Sequence, residues 1–438
     1  MEYLSINFFK KRKIKEYGSL FFIIGVFFLP STLFIGILLL FPAALIGSFL
    51  QKKPFLKDKW NFPFLIFGLL ITINSLLQNF VLRNNYQEIW NPILSIMGMA
   101  NWLPFIWFFW AFQPYLDSKV KRRSLTLTLV ASTFPVLITG FGQYFFNWTG
   151  PFETLNGLII WYQRPIEDPA GLSGLFNHQN YAGSWLNFIW PLTIALFLEK
   201  KNFSYKKFIS LTFLFSVGLA GFLTFSRNAW LGLLISIPIM FGKRLLKLHL
   251  VIAIIVITFF GYIFLSKYII KLDFNLGSLV PEKFLLEFTQ EGYEDLDVSR
   301  LEIFLSALKL IKISPIFGIG AASFPAIYLS ETTFWKGHSH NLILELAVSY
   351  GLPATIIFFI TVNLIIIFSG KKIFSHKNIN DITLFDKAIW TSLLFFLISQ
   401  LFDIQYFDGK ISLVAWILIA SLKNIIEENS NNFSNEKL

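Results

Sequence analysis

The sequence predicts an all-α polytopic membrane protein of about twelve transmembrane helices, with a large extracytoplasmic loop containing amphipathic helices. Three observations carry that fold class. The chain is 55% hydrophobic, with a mean hydropathy of +0.61. Its apolar residues fall in runs of roughly the 20 residues a spanning helix needs, recurring from Ser19 to Ala420. Short basic clusters at 10–15, 52–59, 119–123, 200–207, 243–247 and 371–377 separate those runs. Clusters alternating with spans follow the positive-inside pattern, so these loops and both termini are expected in the cytoplasm. The net charge of +11 therefore reports topology and contact with anionic membrane lipids, and no nucleic-acid partner is expected. With no cysteine, a disulfide scaffold and a thiolate metal site are excluded.

Hydropathy and charge together place the spans in order. The first pair fills 18–50, divided near Pro30 and Ser31, and the apolar stretch is too long for a signal peptide. Further spans are expected at 62–80, 93–112 and 124–146, followed by an outer loop over 147–180. Then come 181–198, and the pair 208–225 and 229–241, joined only by Ser226, Arg227 and Asn228. A ninth span at 250–265 leads into the large outer loop, 266–340. The last three lie within 342–368, 384–401 and 411–422. The chain thus divides into a basic amino-terminal segment (1–17), a membrane domain (18–426) and a polar tail (427–438) expected to be disordered. No internal repeat is visible, which weighs against the repeat-built secondary transporters.

The polar outer stretches hold the chemistry. Residues 299–302 (SRLE) form a capping box that opens a helix. Leu301, Phe304, Leu305 and Leu308 fall on one side of that helix, with Glu302, Ser306 and Lys309 opposite. It ends at Ser314 and Pro315, before the bend at Gly318 and Gly320. Arg300 sits in its first turn, where free N–H groups and the helix dipole already favour anions. It either offers a fork to a phosphate or pairs with Asp295 or Asp297. Arg227 lies between two apolar runs and must reach headgroups, a carboxylate or an aqueous cavity. Arg164 either binds an anion or pairs locally with Glu167 and Asp168. His338 and His340, two residues apart, do not share a helical face, so no metal site is expected from them. An imidazole here serves either as a general base toward a sugar hydroxyl, with Glu345 to orient His340, or as a hydrogen-bonded loop residue.

Four of these segments, in order, resemble the bacterial O-antigen ligases and O-antigen polymerases, which share one membrane domain. They are residues 171–180 (GLSGLFNHQN), 224–232 (TFSRNAWLG), 299–320 ending in PIFGIG, and 339–346 (SHNLILEL) leading to 351–353 (GLP). The resemblance covers 171–368. It implies a metal-independent, inverting glycosyltransferase in the bacterial inner membrane with no cofactor. The implied donor is a glycan on undecaprenyl diphosphate, and the implied acceptor is lipid A core, another lipid-linked repeat or another hydroxyl, at the extracytoplasmic face. Carried onto matching positions, Arg227 and Arg300 hold the diphosphate with Arg164 as a third, and His340 activates or positions the acceptor hydroxyl. Arg164, His338, Asn341, Glu345 and Asn180 are expected to line the substrates. The same family resemblance keeps a bicarbonate-type anion transporter open, and a lipid-linked oligosaccharide flippase behind it. Where relatives tend to carry other residues, this chain has His178, Gln179, Ala321, Ala322 and Tyr350, which leaves both glycans unidentified.

Overall fold

The computed structural model describes residues 2–80, 88–154, 156, 159–161, 163–166, 170–199, 202, 204–242, 254, 258, 300–375 and 383–428. The expected span at 250–265, apart from residues 254 and 258, lies outside them. So do the outer loop before Arg300, including Ser299, Asp295 and Asp297, the carboxylates Glu167 and Asp168, and the chain after 428. Among the described residues, seven helices are long and apolar enough to cross a membrane, and two shorter ones are apolar.

Helices dominate because apolar runs leave backbone N–H and C=O groups no water to bond, and a helix satisfies them within the segment. Helix α1 is Glu2–Phe28 and α2 Leu33–Phe49, divided where the sequence places the break. The basic amino-terminal segment is helical from Glu2 and continuous with that first run. Next come α3 (Asn61–Phe80), α4 (Ile93–Gly98) and α5 (Leu103–Ala111). The single span expected over 93–112 is thus interrupted, with Pro104 opening its second half, where a missing N–H costs nothing. Helix α6 is Lys119–Phe146. The loop after it holds an unpredicted hairpin, β1 (Phe152–Thr154) against β2 (Ile159–Trp161), whose Trp161 Nε1 donates to Ser31 O at 2.6 Å.

The chain continues through α7 (Gln179–Glu199), α8 (Tyr205–Leu223), α9 (Arg227–Phe241), α10 (Arg300–Ile313) and α11 (Ser323–Thr332). It closes with α12 (Leu342–Ser375), α13 (Thr383–Ser399) and α14 (Gly409–Glu427). Helices α7 and α14 are apolar on nearly all sides and form the buried centre, whereas α8 turns Phe208, Ile209, Leu211 and Phe215 outward.

Two motifs meet at the kink in α12. Gly351 has φ 83°, and a Cβ there would overlap the Ile316 carbonyl. The 315–319 bend is strapped to this kink by Leu352 N donating to Pro315 O at 2.8 Å and Ile319 N to Val348 O at 2.7 Å. Amides from α3 take the carbonyls left over: Asn74 Nδ2 donates to Tyr350 O at 2.5 Å, and Gln78 Nε2 to Gly318 O.

Charged side chains on the spanning helices gather at the two ends of the bundle. At the basic end, fully buried Arg122 grips Asp386 of α13 with Nε–Oδ1 2.6 Å and Nη2–Oδ2 3.0 Å, and reaches Glu428 at 2.7 Å. Lys423 joins Asp58 at 2.5 Å and Glu427 at 2.8 Å. Glu427 and Glu428, assigned by the sequence to a disordered tail, are therefore ordered by these ion pairs. Arg122→Ala would leave Asp386 buried and uncompensated. It is expected to cost about 3–5 kcal/mol, read as a lowered melting temperature of the detergent-solubilised protein. An unchanged melting curve would contradict this account.

Candidate functional site

At the opposite end, the 400–408 turn between α13 and α14 organises the residues that the sequence singles out. Gln400 Oε1 accepts the amides of Gln405 and Tyr406, each at 3.0 Å, which folds the turn on itself. Leu342 N donates to Gln400 O at 2.9 Å and ties the start of α12 to it. Asn341 caps α12, its Oδ1 accepting from Ile343 N at 2.9 Å and Leu344 N at 3.2 Å, while its Nδ2 donates to Leu401 O at 2.9 Å.

Asp403 is the hub, and sequence reasoning missed it. Its Oδ1 meets His340 Nδ1 at 2.8 Å. Its Oδ2 accepts from Asn180 Nδ2 and from Gln405 Nε2, both at 2.8 Å. Burial by itself would raise this carboxyl. The His340 hydrogen bond and the nearby His338, His340 and Arg300 charges outweigh burial and hold its pKa at about 2. Because the carboxylate is ionised, it fixes the His340 proton on Nδ1 and leaves Nε2 as a free base. The backbone of His340 is left-handed, φ 54°, a strain of about 1–2 kcal/mol outside glycine that turns the ring back toward Asp403.

His338 packs edge-on against His340, ring centroids 4.5 Å apart, and its Nδ1 accepts the His340 N–H at 3.2 Å. Its own proton therefore sits on Nε2, 3.9 Å from Asp403 Oδ1. Desolvation, with the His340 charge beside it, pushes the His338 pKa down to about 4 against the pull of Asp403. Arg300, the first residue of α10, is exposed and donates from Nη1 to Phe402 O at 3.1 Å. The arginine and histidine picked from the sequence thus meet on consecutive residues, 402 and 403, of one turn.

Arg227 opens α9 at the same end. Its turn is fastened to α7 by Asn187 Nδ2 donating to Asn228 O at 3.0 Å, and to the 171–180 loop by Leu172 N donating to Leu223 O at 2.8 Å. Gly171 lies so close to Thr224 O that a Cβ would overlap it. Gly183, packed on Ser226 and Ala229, is about one turn along α7 from Asn180, the Asp403 partner. Arg164 is exposed, on the loop held beside this site by Gln143.

One expectation is corrected, that Glu345 orients the His340 ring. Glu345 is buried and its carboxylate accepts the Ser339 N–H at 2.9 Å. It steadies the loop backbone beside His340 and makes no hydrogen bond to the His340 ring among the described residues. Asn341 uses its side chain to cap α12 and to hold Leu401. Helix α10 also differs from a simple amphipathic surface helix. Ile303, Ala307, Leu310 and Ile311 face the protein, and Leu301, Phe304 and Leu305 form a second apolar face turned outward.

One ligand atom each from His338, His340 and Asp403 lies within 4.8 Å of the others, a spacing a divalent cation could bridge. The tautomers oppose it: the His340 N–H occupies His338 Nδ1, so Nε2, the atom facing the cluster, carries the proton.

Residues 211–359 match the family model described as O-antigen ligase. Residues 211–359 thus carry the domain of the O-antigen ligase family. Among curated proteins no match was found. The matched stretch contains Arg227, Arg300, His338 and His340, while Arg164, Asn180 and Asp403 lie outside it. The matched domain supports a ligase- or polymerase-type function in general, and the apolar helices support a multi-pass membrane protein.

Proposed function

We propose that this O-antigen ligase-family protein transfers a glycan from undecaprenyl diphosphate to an acceptor hydroxyl at the extracytoplasmic face of the bacterial inner membrane. The observation that carries the reading is the Asp403–His340 contact of 2.8 Å, with Arg300 bonded to the neighbouring carbonyl. His340 Nε2 takes the proton of the acceptor hydroxyl as its oxygen attacks the anomeric carbon. The carbon–oxygen bond to the diphosphate breaks on the opposite side, which inverts the anomeric centre. Negative charge growing on the departing diphosphate is met by the guanidinium groups of Arg300 and Arg227, which need no metal. Asn180 and Gln405 keep Asp403 in place, and His338 offers its Nε2–H beside it.

A transporter reading would want ionisable groups along mid-membrane. Among the described residues the charges on the spanning helices lie near their ends, as with Glu345, Lys410, Arg122 and Lys423, which favours the enzyme. The test is reconstitution of the purified protein with an undecaprenyl-diphosphate-linked glycan, a hydroxyl acceptor and a chelator. Glycosylated acceptor is expected with chelator present. Its absence under all conditions, with anion uptake by the same liposomes, would replace this reading with transport.

A further inference from the structure

Two exposed donors beside the Asp403 hub are left unassigned by the transfer mechanism. His178 Nδ1 accepts the Asn180 N–H at 3.1 Å, so its proton is carried on Nε2. This repeats the arrangement at His338, whose Nδ1 takes the amide two residues on. The His178 ring stands edge-on to Tyr181, centroids 6.4 Å apart. Its Nε2–H has no hydrogen-bond partner among the described residues, and the same holds for the Arg164 guanidinium.

Their proximity is built in. Buried Gln143 of α6 donates from Nε2 to Arg164 O at 2.7 Å and to Ser173 Oγ at 2.9 Å. Its Oε1 accepts the amides of Ser173 at 2.9 Å and Gly174 at 2.8 Å. One glutamine thus clamps the Arg164 segment to the loop that carries His178. The two side chains feel each other's charge. Desolvation of its packed side draws the His178 pKa down, Arg164 lowers it further, and Asp403 opposes both. Neighbouring Asn180 donates to Asp403, so this pair borders the transfer site.

We infer that Arg164 and His178 form an anion subsite at the mouth of the transfer site, taking a carboxylate or phosphate oxygen of the lipid-linked substrate. Both groups only donate. A carboxylate or phosphate supplies acceptor oxygens alone and matches them, whereas a hydroxyl matches only in part. The inference rests on the glycan-transfer reading for the identity of the ligand. The resemblance that flags Arg164 does not extend to His178, which replaces the smaller residue common in relatives.

The test uses the full-length protein in nanodiscs with three probes and no acceptor. These are undecaprenyl diphosphate, a glucuronate-terminated oligosaccharide, and a glucose-terminated oligosaccharide of the same length. Arg164→Gln and His178→Phe are each expected to weaken an anionic probe about tenfold, the scale of a hydrogen bond to a charged group, and to leave the neutral one unchanged. Loss confined to undecaprenyl diphosphate identifies the carrier as the source of the anion. Loss confined to the glucuronate probe identifies an acidic sugar. His178→Asn, whose oxygen retains the Asn180 amide bond, guards against local unfolding and should weaken the same probe. Equal weakening of the neutral probe, or unchanged binding of both anionic probes, overturns the subsite. Because binding is read without transfer, a protein inactive as a transferase would still report it.

Discussion

Asp403→Asn is expected to lower glycan transfer by about 10²–10⁴-fold, the range for losing a positioned base or the group that orients it. An asparagine keeps the volume and one acceptor oxygen, so Asn180 and Gln405 retain a partner. What disappears is the negative charge that holds the His340 proton on Nδ1 at 2.8 Å. An amide presenting its NH₂ to that nitrogen would favour the other tautomer, whose Nε2 is protonated and cannot accept the hydroxyl proton. Substrate affinity should change little, so the loss is expected in kcat. His340→Ala should cost about as much, and the double variant scarcely more, because the two act as one unit. Additive losses, or an Asp403→Asn enzyme of full activity, would show that His340 does not work through Asp403.

The pH dependence follows from the same charges. Asp403, held at about 2, stays ionised at any pH where the membrane protein is handled. Its stabilising contribution is present above the ordinary carboxylate pKa and is lost only as pH falls toward about 2. His338 has the opposite assignment of partners. Its pKa lies at about 4, below the ordinary imidazole value of 6.5, so between those values the unfolded chain binds the proton and the folded one does not. Stability from His338 is therefore complete above about 6.5 and declines as pH falls to about 4.

Much of the helical scaffold was legible because apolar runs and basic clusters mark where helices start and stop. Helices α3, α6, α7 and α8 fall within a few residues of the expected spans. What hydropathy could not show is how backbone inside those runs is satisfied. Asn74 and Gln78 read as stray amides in an apolar span until the α12 kink supplies their carbonyl partners. The 152–161 hairpin was hidden for a related reason, since strands of three residues carry too little pattern to recognise.

The site was half legible. Arg300 and His340 stood out as polar residues at span edges, but the partner of His340 is 63 residues away in sequence. Asp403 lies in a turn, between α13 and α14, that hydropathy marks only as a break between two spans. Yet Asp403, Gln405 and Asp408 make a polar run pressed between apolar helices. An acid in that position is costly unless it is paired, which was the available signal. Sequence proximity alone points to Glu345 as the orienting acid. Helical geometry directs it inward to Ser339 instead.

Arg300→Ala is the second large effect, an expected loss of about 10²–10³-fold in kcat, as for removal of one donor to a developing oxyanion. Its guanidinium is exposed and bonds only a backbone carbonyl, Phe402 O at 3.1 Å, among the hydrogen bonds of the described residues. Truncation should therefore spare the fold: α10 stays anchored through Ile303, Ala307, Leu310 and Ile311. Arg300→Lys separates charge from geometry. A lysine ammonium restores one positive charge but not the planar fork that meets two phosphate oxygens at once, so it should recover only part of the rate. If Arg300 instead merely attracted substrate, both variants would raise KM, leave kcat intact, and converge with wild type as salt screens the exposed charge. A kcat unchanged in Arg300→Ala would remove this arginine from the transfer step and leave leaving-group stabilisation to Arg227.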